Sequence, residues 1–381
     1  MKFINQDQKH YQTIESVKKL LGNGLSLKNC IFQEIDFTSL QIDWDLVEID
    51  NTVFLGCQFS PEESLRLSQK GAQLLQQANG LPYQVFRKSL YHWKELMEGF
   101  DPHEDQSRDW QIYQHFSKSK FNPPVMEALW QRIHDHSMDD ALRDLLDYDQ
   151  KGMTQKKCVG FMGGHGTLRT DPYYKKTALT SKILAEAGYF IVSGGGPGIM
   201  EATNLGAYFA NYSDAQLYDA ISILEKAPHY SDQQFHQSAF EVLEKYPNGQ
   251  DSLAIPTWFY GHEPSNLFAA HIAKYFSNSI REDTLLAISL YGIICAPGSA
   301  GTTQEIFMDA TQNHYCTFNH YSPMIFLGKK RYEIDTMIFP LLKQLSFGRV
   351  YHDLLYLTDE PEEVLQFLQA HPPISKDAAS H

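Results

Sequence analysis

Residues 293–305 read Ile-Ile-Cys-Ala-Pro-Gly-Ser-Ala-Gly-Thr-Thr-Gln-Glu, an apolar run that ends in a glycine-rich turn. The apolar residues 293–296 are typical of a buried strand, and a helix is predicted from Thr302 onward. Strands that pass through short turns into helices build parallel sheets, and the helices cover both faces of such a sheet. This stretch therefore predicts an α/β fold, a doubly wound parallel sheet with helices on both faces.

The same alternation of short apolar runs and amphipathic stretches extends from Lys156 toward the C-terminus. We predict strands at Cys158–Met162, Phe190–Val192, Leu253–Ile255, Ile293–Ala296, Met324–Leu327 and Leu354–Leu357. We predict helices over 172–187, from about 198, over 264–280, from 302, from about 332 and over 360–370. The segment 214–246 interrupts the alternation and predicts a helical insertion.

A five-residue period marks the first 60 residues. Its apolar positions are Leu27, Phe32, Phe37, Ile42 and Val47, with Cys30, Ile35 and Leu40 in the same period and Phe54 and Phe59 after a slip. Five is neither the helical nor the strand period, and the pattern resembles the pentapeptide-repeat solenoid. The alternative is two ordinary β-hairpins with chance spacing. We interpret the segment as a packing or assembly element.

Helical patterns follow from residue 61 to about residue 150. Ser60 is a suitable N-cap residue, and Pro61 suits the first position of a helix. Three helices are predicted, over 61–78, 81–99 and 124–148, with a loop between the last two.

The composition excludes several classes of function. The chain has 381 residues and a net charge of −14, so a nucleic acid polymer, which needs a basic binding surface, is not an expected partner. No stretch approaches the ~18 apolar residues of a membrane span, and the N-terminus lacks a signal-peptide pattern. The five cysteines are an odd number without a C-x-x-C pair, which indicates a reducing compartment. We therefore expect a cytoplasmic protein that binds no membrane.

Three of the predicted strands end in glycine-rich loops, at 163–167, 193–198 and 297–302. Ligands bind beyond the carboxyl ends of the strands in an open parallel sheet, so we expect the three loops to gather at one edge. The loops match neither the dinucleotide fingerprint nor the P-loop pattern, which disfavours NAD, FAD and P-loop nucleotide sites. The sequence has no H-E-x-x-H motif or Cys/His cluster, so we expect no metal and no cofactor.

The third loop has the features of a phosphate site. Gly298 and Gly301 permit backbone turns that a side chain would block. The helix that begins at Thr302 presents its first N–H groups unpaired, and these attract an anion. The alternative role is structural, because residues 302–305 also form the pattern of a capping box, in which Glu305 only satisfies the N-cap amide.

Residues 297–305 resemble the P-G-G-x-G-T-x-x-E signature of the LONELY GUY (LOG) family. These are nucleoside 5′-monophosphate phosphoribohydrolases, long mislabelled lysine decarboxylases. Residues 194–201, Gly-Gly-Gly-Pro-Gly-Ile-Met-Glu, look like the family's second motif, G-G-G-x-x-G-L-M. Arg281 lies sixteen residues before Pro297, close to the spacing of the family's arginine. Ser299 and Glu282 depart from the pattern, because the family has Gly and Lys at those positions.

The resemblance covers about residues 156–370 and implies a Rossmann-like fold. In architecture the chain looks similar to the bacterial pyrimidine/purine nucleotide 5′-monophosphate nucleosidases, which add N-terminal domains. We expect a pentapeptide-repeat-like β segment over 1–60, a helical region over 61–150, a Rossmann-like nucleotide-binding catalytic domain over 151–371 and a tail over 372–381. The resemblance also implies a homodimer or a higher homo-oligomer.

The implied reaction is hydrolysis of the N-glycosidic bond of a nucleoside 5′-monophosphate such as AMP or GMP, which gives the free base and ribose 5-phosphate. Glu305 would stabilise an oxocarbenium-like transition state or orient water, and Arg281 would hold phosphate or orient Glu305. The residues expected at the phosphate and ribose are Gly298, Ser299, Ala300, Gly301, Thr302, Gly194, Gly195, Gly196 and Gly198, with Met162, Gly163 and Thr167 at the border.

The aromatic segment 256–264 is the expected base pocket. A base would stack on Trp258 or Tyr260 and would bond to Glu263. The alternative is that these aromatic residues pack against the helical insertion.

Two other functions remain open. Proteins that carry the molybdenum cofactor have the same sheet with similar loops, and such a carrier needs neither Glu305 nor Arg281. The joint presence of both residues favours the enzyme. The second alternative is a nucleotide-regulated assembly protein, in which the pentapeptide-like segment captures a partner.

Overall fold

The computed structural model describes residues 9–22, 24, 26–76, 80–101, 103, 106–148 and 154–380. The chain forms two compact units, and neither is continuous in sequence. The first comprises Met1–Ser89 with Phe121–Ala141, and the second comprises Leu90–Lys120 with Leu142–His381. The division of the chain at residues 60, 150 and 371 stays a prediction from sequence.

Parallel strands wind the first unit into a coil. Its elements are β1 (Lys9–Tyr11), α1 (Ile14–Gly22), β2 (Ser26–Lys28), β3 (Cys30–Gln33), β4 (Glu48–Asp50), β5 (Val53–Leu55), α2 (Pro61–Gln69) and β6 (Gln73–Leu75). The described strand ladders of this unit are all parallel, in the orders β1-β3-β5-β6 and β2-β4. Phe32 pairs with Phe54, 22 residues later, which is close to four five-residue faces. The hairpin alternative is wrong because hairpin strands are antiparallel, and the pentapeptide assignment stays a prediction.

The residues of the five-residue period fill the interior of this coil. The buried ones are Leu27, Cys30, Phe32, Ile35, Phe37, Val47 and Phe54. The rings of Tyr11, Phe32 and Phe54 stack in a column across three neighbouring strands, with centroids 5.2 and 4.9 Å apart. Stacked aromatic pairs stabilise a core beyond the burial of their apolar area. The period therefore marks one continuous core.

The helix predicted over 61–78 is α2, which ends at Gln69. A capping box between Ser60 and Glu63 begins it. Gly71, with a φ of +90°, turns the chain after it, and the next residues join the coil as β6. The predicted helix is too long because the amphipathic pattern continues into a strand that the coil stabilises.

The region that follows contains α3 (Trp93–Leu96), α4 (Arg108–Ser117) and α5 (Val125–Leu145). The helix predicted over 81–99 is wrong, since only α3 forms within it. Tyr83, Val85 and Phe86 are buried in a non-helical segment, so tertiary packing outweighs helical propensity there. α4 lies in the expected loop, and the helix predicted over 124–148 is confirmed as α5.

A seven-stranded parallel sheet forms the core of the second unit. The strands of this unit are β7 (Cys158–Met162), β8 (Phe190–Ser193), β9 (Leu253–Ala254), β10 (His271–Ile272), β11 (Ile293–Cys295), β12 (His320–Tyr321), β13 (Met324–Leu327), β14 (Leu355–Thr358) and β15 (Ile374–Ser375). β12 pairs antiparallel with β15. The others form one sheet in the order β10-β9-β8-β7-β11-β13-β14, with parallel neighbours. The predicted α/β class and the six predicted strands are confirmed.

Helices cover both faces of this sheet. They are α6 (Pro172–Glu186), α7 (Ile199–Tyr208), α8 (Asp214–Leu224), α9 (Phe235–Lys245), α10 (Asn278–Ile288), α11 (Ala300–Tyr315), α12 (Ile338–Leu345) and α13 (Pro361–Ala370). α6, α7 and α13 pack on one face. On the other face α10 contacts β7, and Phe339 of α12 lies 5.5 Å from Phe326 of β13. The fold is therefore Rossmann-like and doubly wound, and α8 and α9 form the predicted insertion.

No helix within the described residues is long and apolar enough to cross a membrane.

The helix predicted over 264–280 is wrong. β10 occupies the middle of this segment, and α10 begins only at Asn278. The side-chain amide of Asn266 donates to the backbone oxygen of Met200 at 3.2 Å and to Oδ1 of Asn204 at 2.9 Å. These bonds hold the segment against α7 along a non-helical path. The helix predicted from 332 also begins later, at Ile338, after a π-helical turn.

A buried ion pair joins the insertion to helix α7. Arg169 and Glu201 are both buried, and Nε of Arg169 donates to Oε2 of Glu201 at 2.8 Å. Nη1 of Arg169 also donates to Ser238 Oγ at 2.9 Å and to the backbone oxygen of Ala227 at 3.1 Å. The hydroxyl of Tyr174 donates to Oε2 of Glu201 at 2.8 Å. This bonding satisfies both charges and ties the loop between α8 and α9 to α7.

The substitution Glu201→Gln tests this pair. It leaves the Arg169 charge buried without its counter-ion, so we expect the free energy of unfolding to fall by about 3–5 kcal/mol. Urea denaturation measures the change. The matched control is Lys226→Ala in the exposed pair between Lys226 and Glu241, where we expect a loss below about 1 kcal/mol. Equal losses in the two variants would contradict the structural role of the buried pair.

Candidate functional site

The glycine-rich loops meet where the strand order reverses. The chain runs outward from β7 through β8, β9 and β10, and then returns to place β11 on the other side of β7. A crevice lies beyond the carboxyl ends of the strands at such a switch point. Cys295 pairs with Met162 at the ends of the two central strands, and the N–H of Gly164 donates to the backbone oxygen of Pro297 at 3.0 Å. The loops after β7 and β11 are therefore in direct contact.

Helix α11 begins at Ala300, two residues earlier than predicted, and Ser299 precedes it without a side-chain capping bond. Thr302 lies inside the helix, and the carboxylate of Glu305 accepts a hydrogen bond from Arg281. The capping-box alternative is therefore wrong. The N–H groups in the first turn of a helix have no partner within the helix. This turn thus offers donors suited to an anion.

The two glycines of this turn, Gly298 and Gly301, differ in the space that is available for a side chain. A Cβ on Gly298 would lie 2.1 Å from Oγ1 of Thr302, whereas a Cβ on Gly301 would meet no atom within 4 Å. The close approach predicted at Gly298 is therefore confirmed. The one predicted at Gly301 is wrong, because Gly301 lies in the first turn of α11 beside open space.

A cavity of about 440 Å³ opens beside the N-terminus of α11. Small-molecule sites measure about 300–1,000 Å³, so this volume suits a ligand of nucleotide size. The predicted site residues that line it are Met162, Gly163, Gly194, Tyr260, Glu263, Arg281, Ser299, Ala300, Gly301, Thr302 and Glu305. The cavity thus brings together parts of all three glycine-rich loops and the aromatic segment.

Other predicted residues are not among those that line the cavity. These are Thr167, Gly195, Gly196, Gly198 and Gly298. Gly198 has a φ of +67°, and a Cβ there would lie 2.4 Å from the backbone oxygen of Gly164. The second loop therefore approaches the first closely. Contact of these five residues with a ligand stays a prediction.

Trp258 is not a base platform, and that prediction is wrong. The side chain is fully buried, and its Nε1 donates to Oδ1 of Asp109 at 2.7 Å. Lys274 and Ser265 also donate to this carboxylate, at 2.8 and 2.7 Å. Burial alone would raise the pKa of Asp109, but Lys274 and the hydrogen bonds hold it below its usual value. Trp258 therefore anchors the aromatic segment from beneath, and the exposed Tyr260 lines the cavity.

Arg281 connects three parts of the site. Its Nε donates to the backbone oxygen of Ile255 at 2.7 Å, and its Nη2 donates to the backbone oxygen of Gly194 at 3.2 Å. Its Nη1 donates to Oε1 of Glu305 at 3.1 Å. Only about 7% of Arg281 is exposed. The guanidinium therefore orients Glu305 and keeps little freedom to bind phosphate itself.

Burial raises the pKa of Glu305, Arg281 opposes this rise, and the nearby Glu282 adds to it. The carboxylate is therefore more basic than an exposed one. Glu282 is itself buried. It accepts from Asn278 Nδ2 at 2.7 Å and from Gln304 Nε2 at 2.9 Å.

A second acid lies one helical turn beyond Glu305. Asp309 is buried, and burial raises its pKa to about 8. Its Oδ2 has no hydrogen-bond partner among the described residues. The carboxyl is therefore mostly neutral at pH 7 and adds little charge beside the site.

Several lining residues were not singled out from the sequence. They are Phe161, Gly164, His165, Met200, Thr257 and Gln304. His165 lies inside a segment already named, and Gln304 lies one residue before Glu305, so proximity to the motifs was their only signal. Glu282, which departs from the LOG pattern, also lines the cavity. Nowhere in the described part of the chain do three His, Cys, Asp or Glu residues group as metal ligands would.

No family model matches this sequence, and no curated protein matches it. Among solved structures, the chain is similar to the molybdenum cofactor binding protein from Rippkaea orientalis, with 16% identity, 57% of this chain and 97% of that chain covered, and a TM-score of 0.37. It is also similar to the molybdenum cofactor carrier protein from Chlamydomonas reinhardtii, with 14% identity, 57% and 100% covered, and a TM-score of 0.37. At these values the likenesses do not bear on what this chain binds.

The glycines at the site allow a paired test. A Cβ on Gly194 would lie 2.2 Å from Nη2 of Arg281, so we expect Gly194→Ala to lower the free energy of unfolding by about 1–3 kcal/mol. The methyl group that Gly301→Ala adds lies in open space within a helix. We therefore expect this substitution to raise the free energy of unfolding by about 0.5–1 kcal/mol. Urea denaturation of both variants provides the measurement. A loss of stability in Gly301→Ala would contradict this account of α11.

Proposed function

We propose that this protein hydrolyses the N-glycosidic bond of nucleoside 5′-monophosphates. The ion pair between Arg281 and Glu305 carries the proposal, because it holds a partly buried carboxylate in a cavity of nucleotide size. Hydrolysis of such a bond passes through an oxocarbenium-like transition state, which a nearby carboxylate stabilises. The resemblance of residues 297–305 to the LOG signature supports the same reaction.

The N-terminus of α11 is the proposed phosphate site. Ser299, Ala300, Gly301 and Thr302 line the cavity, and the helix dipole favours an anion at that end. Glu305 lies four residues after Gly301, on the same side of the helix. A phosphate bound at the first turn would therefore place the ribose beside the carboxylate.

The chemical step follows from this placement. The C1′–N bond breaks with its electron pair leaving on the base nitrogen, and a water oxygen bonds to C1′. The carboxylate of Glu305 accepts a proton from that water and stabilises the positive charge that develops on the ribose. Arg281 positions Glu305, and Gly194 leaves room for the guanidinium.

Binding without turnover is the alternative, as in the carriers whose structures are similar. A carrier has no need of a basic carboxylate held by an arginine, so the ion pair favours the enzyme. The homo-oligomeric state, the cytoplasmic location and a substrate such as AMP or GMP stay predictions from the sequence.

The substitution Glu305→Gln tests the assignment. Glutamine keeps the shape and accepts from Arg281 but cannot take a proton, so we expect release of base to fall by about 10²–10⁴-fold. Chromatography of AMP, GMP, CMP and UMP reactions measures released base, and calorimetry measures retained nucleotide binding. The matched control is Glu244→Gln on the exposed side of α9, which should release base at the unaltered rate. A rate within threefold of the unaltered protein in Glu305→Gln would contradict the proposal.

The dependence of turnover on pH provides a second test. The raised pKa of Glu305 means that its carboxylate is lost at a higher pH than an exposed glutamate's. We therefore expect kcat/KM to fall as the pH drops, with its midpoint above about 4.3, the usual value for glutamate. Arg281→Gln removes the cation that lowers this pKa and should move the midpoint further up. A midpoint at or below the usual value in the unaltered protein would contradict the role of Glu305.

A further inference from the structure

The cavity has an unequal distribution of charge. Three carboxylates line it, those of Glu263, Glu282 and Glu305, together with one arginine, Arg281. Arg281 pairs with Glu305. The excess of two negative charges is unusual for a site that would take an anionic nucleotide.

The carboxylate of Glu282 accepts hydrogen bonds from groups that do not neutralise its charge. Its two oxygens accept from the side-chain amides of Asn278 and Gln304, and amides carry no net charge. Glu263 stands against the second glycine loop, because a Cβ on Gly196 would lie 2.6 Å from its Oε2. Both carboxylates thus add negative charge to the side of the cavity formed by α10 and that loop.

The first turn of α11 favours anions. It presents N–H donors to the cavity, and Arg331 donates from Nη2 to the backbone oxygen of Gly298 at 2.6 Å. The cavity therefore combines donors for an anion at this turn with the carboxylates of Glu263 and Glu282. Such a combination suits a ligand that carries both an anionic and a cationic group.

We propose that the cavity prefers nucleoside monophosphates whose base is a cation at the glycosidic nitrogen, the class of pyridinium nucleotides. This inference rests on the proposed hydrolysis and names its substrate class. The phosphate lies at α11, and the cationic ring lies beside Glu282 and Glu263.

The chemistry of the leaving group agrees with the charge distribution. A neutral base leaves as an anion unless it is protonated, and the carboxylates repel that anion. A pyridinium takes the electron pair of the C1′–N bond and leaves as a neutral molecule. Its positive charge moves to the ribose, beside Glu305, and water then supplies the hydroxyl at C1′ and a proton to Glu305. The cavity thus holds the same positive charge before and during bond cleavage.

Glu282 is the specificity-determining residue in this scheme. Glu282→Gln removes one charge and keeps the size of the side chain. Glu282→Lys installs the residue of the LOG pattern and reverses the charge. One unit charge near a bound cation changes its binding by about tenfold in a partly buried site.

The test compares ligands that differ in ring charge alone. Oxidised nicotinamide mononucleotide carries a pyridinium, and its reduced form carries a neutral ring of nearly the same shape. Calorimetry on the full-length Glu305→Gln variant measures both affinities without turnover. We expect the oxidised form to bind at least about tenfold more tightly, and Glu282→Gln in the same background to abolish most of that difference.

Turnover provides the second readout. With nicotinamide mononucleotide, we expect Glu282→Gln to lower kcat/KM about tenfold more than it lowers kcat/KM for AMP and CMP, and we expect Glu282→Lys to widen that difference. Circular dichroism confirms the fold of each variant, and Glu244→Gln is the charge-matched control. Equal affinity for the two ring forms, or equal losses for charged and neutral bases, would overturn the inference. If none of the nucleotides releases its base, the result would instead contradict the proposed hydrolysis.

Discussion

The guanidinium of Arg281 bonds to three segments that are distant in sequence, at Ile255, Gly194 and Glu305. A buried arginine is costly unless its donors are satisfied and its charge is paired. Two carbonyl oxygens and one carboxylate meet that demand here. The loops after β8 and β9 and the helix after β11 are consequently held in one arrangement, and the carboxylate that serves the proposed chemistry is also a structural counter-ion. The geometry of the site and the stability of this edge of the sheet are therefore coupled.

Helix α11 places the two halves of the site on one rigid element. Its first turn supplies the N–H donors, and Glu305 follows within the next turn. Residues separated by four positions keep a fixed spacing on a helix, so the distance between a bound anion and the carboxylate is set by helix geometry alone. The sheet then needs only to position the helix, and the reversal of strand order between β7 and β11 leaves the space in front of it.

Sequence patterns predicted the sheet and the position of the cavity because both depend on short-range signals. Apolar runs identify strands, and glycines after them identify ligand loops. Predictions failed where long-range contacts decide the conformation. Trp258 is buried because Asp109, distant in sequence, accepts its N–H. The segment after Pro264 is not helical, because Asn266 bonds to α7. Residues 302–305 match the local pattern of a capping box. In the structure Glu305 instead accepts a hydrogen bond from Arg281, and a pattern of neighbouring residues does not predict this long-range contact.

Asp309 links the folding equilibrium of this helix to protons. In the folded protein its carboxyl keeps a proton up to about pH 8, whereas in the unfolded chain it loses the proton near its usual value of about 4. Between these two values the folded state binds more protons, so the contribution of this group to stability is full below pH 4 and declines until pH 8. Above pH 8 both states are ionised and the decline ends. This one group therefore favours the folded helix more at pH 4 than at pH 7, and it adds no further change above pH 8.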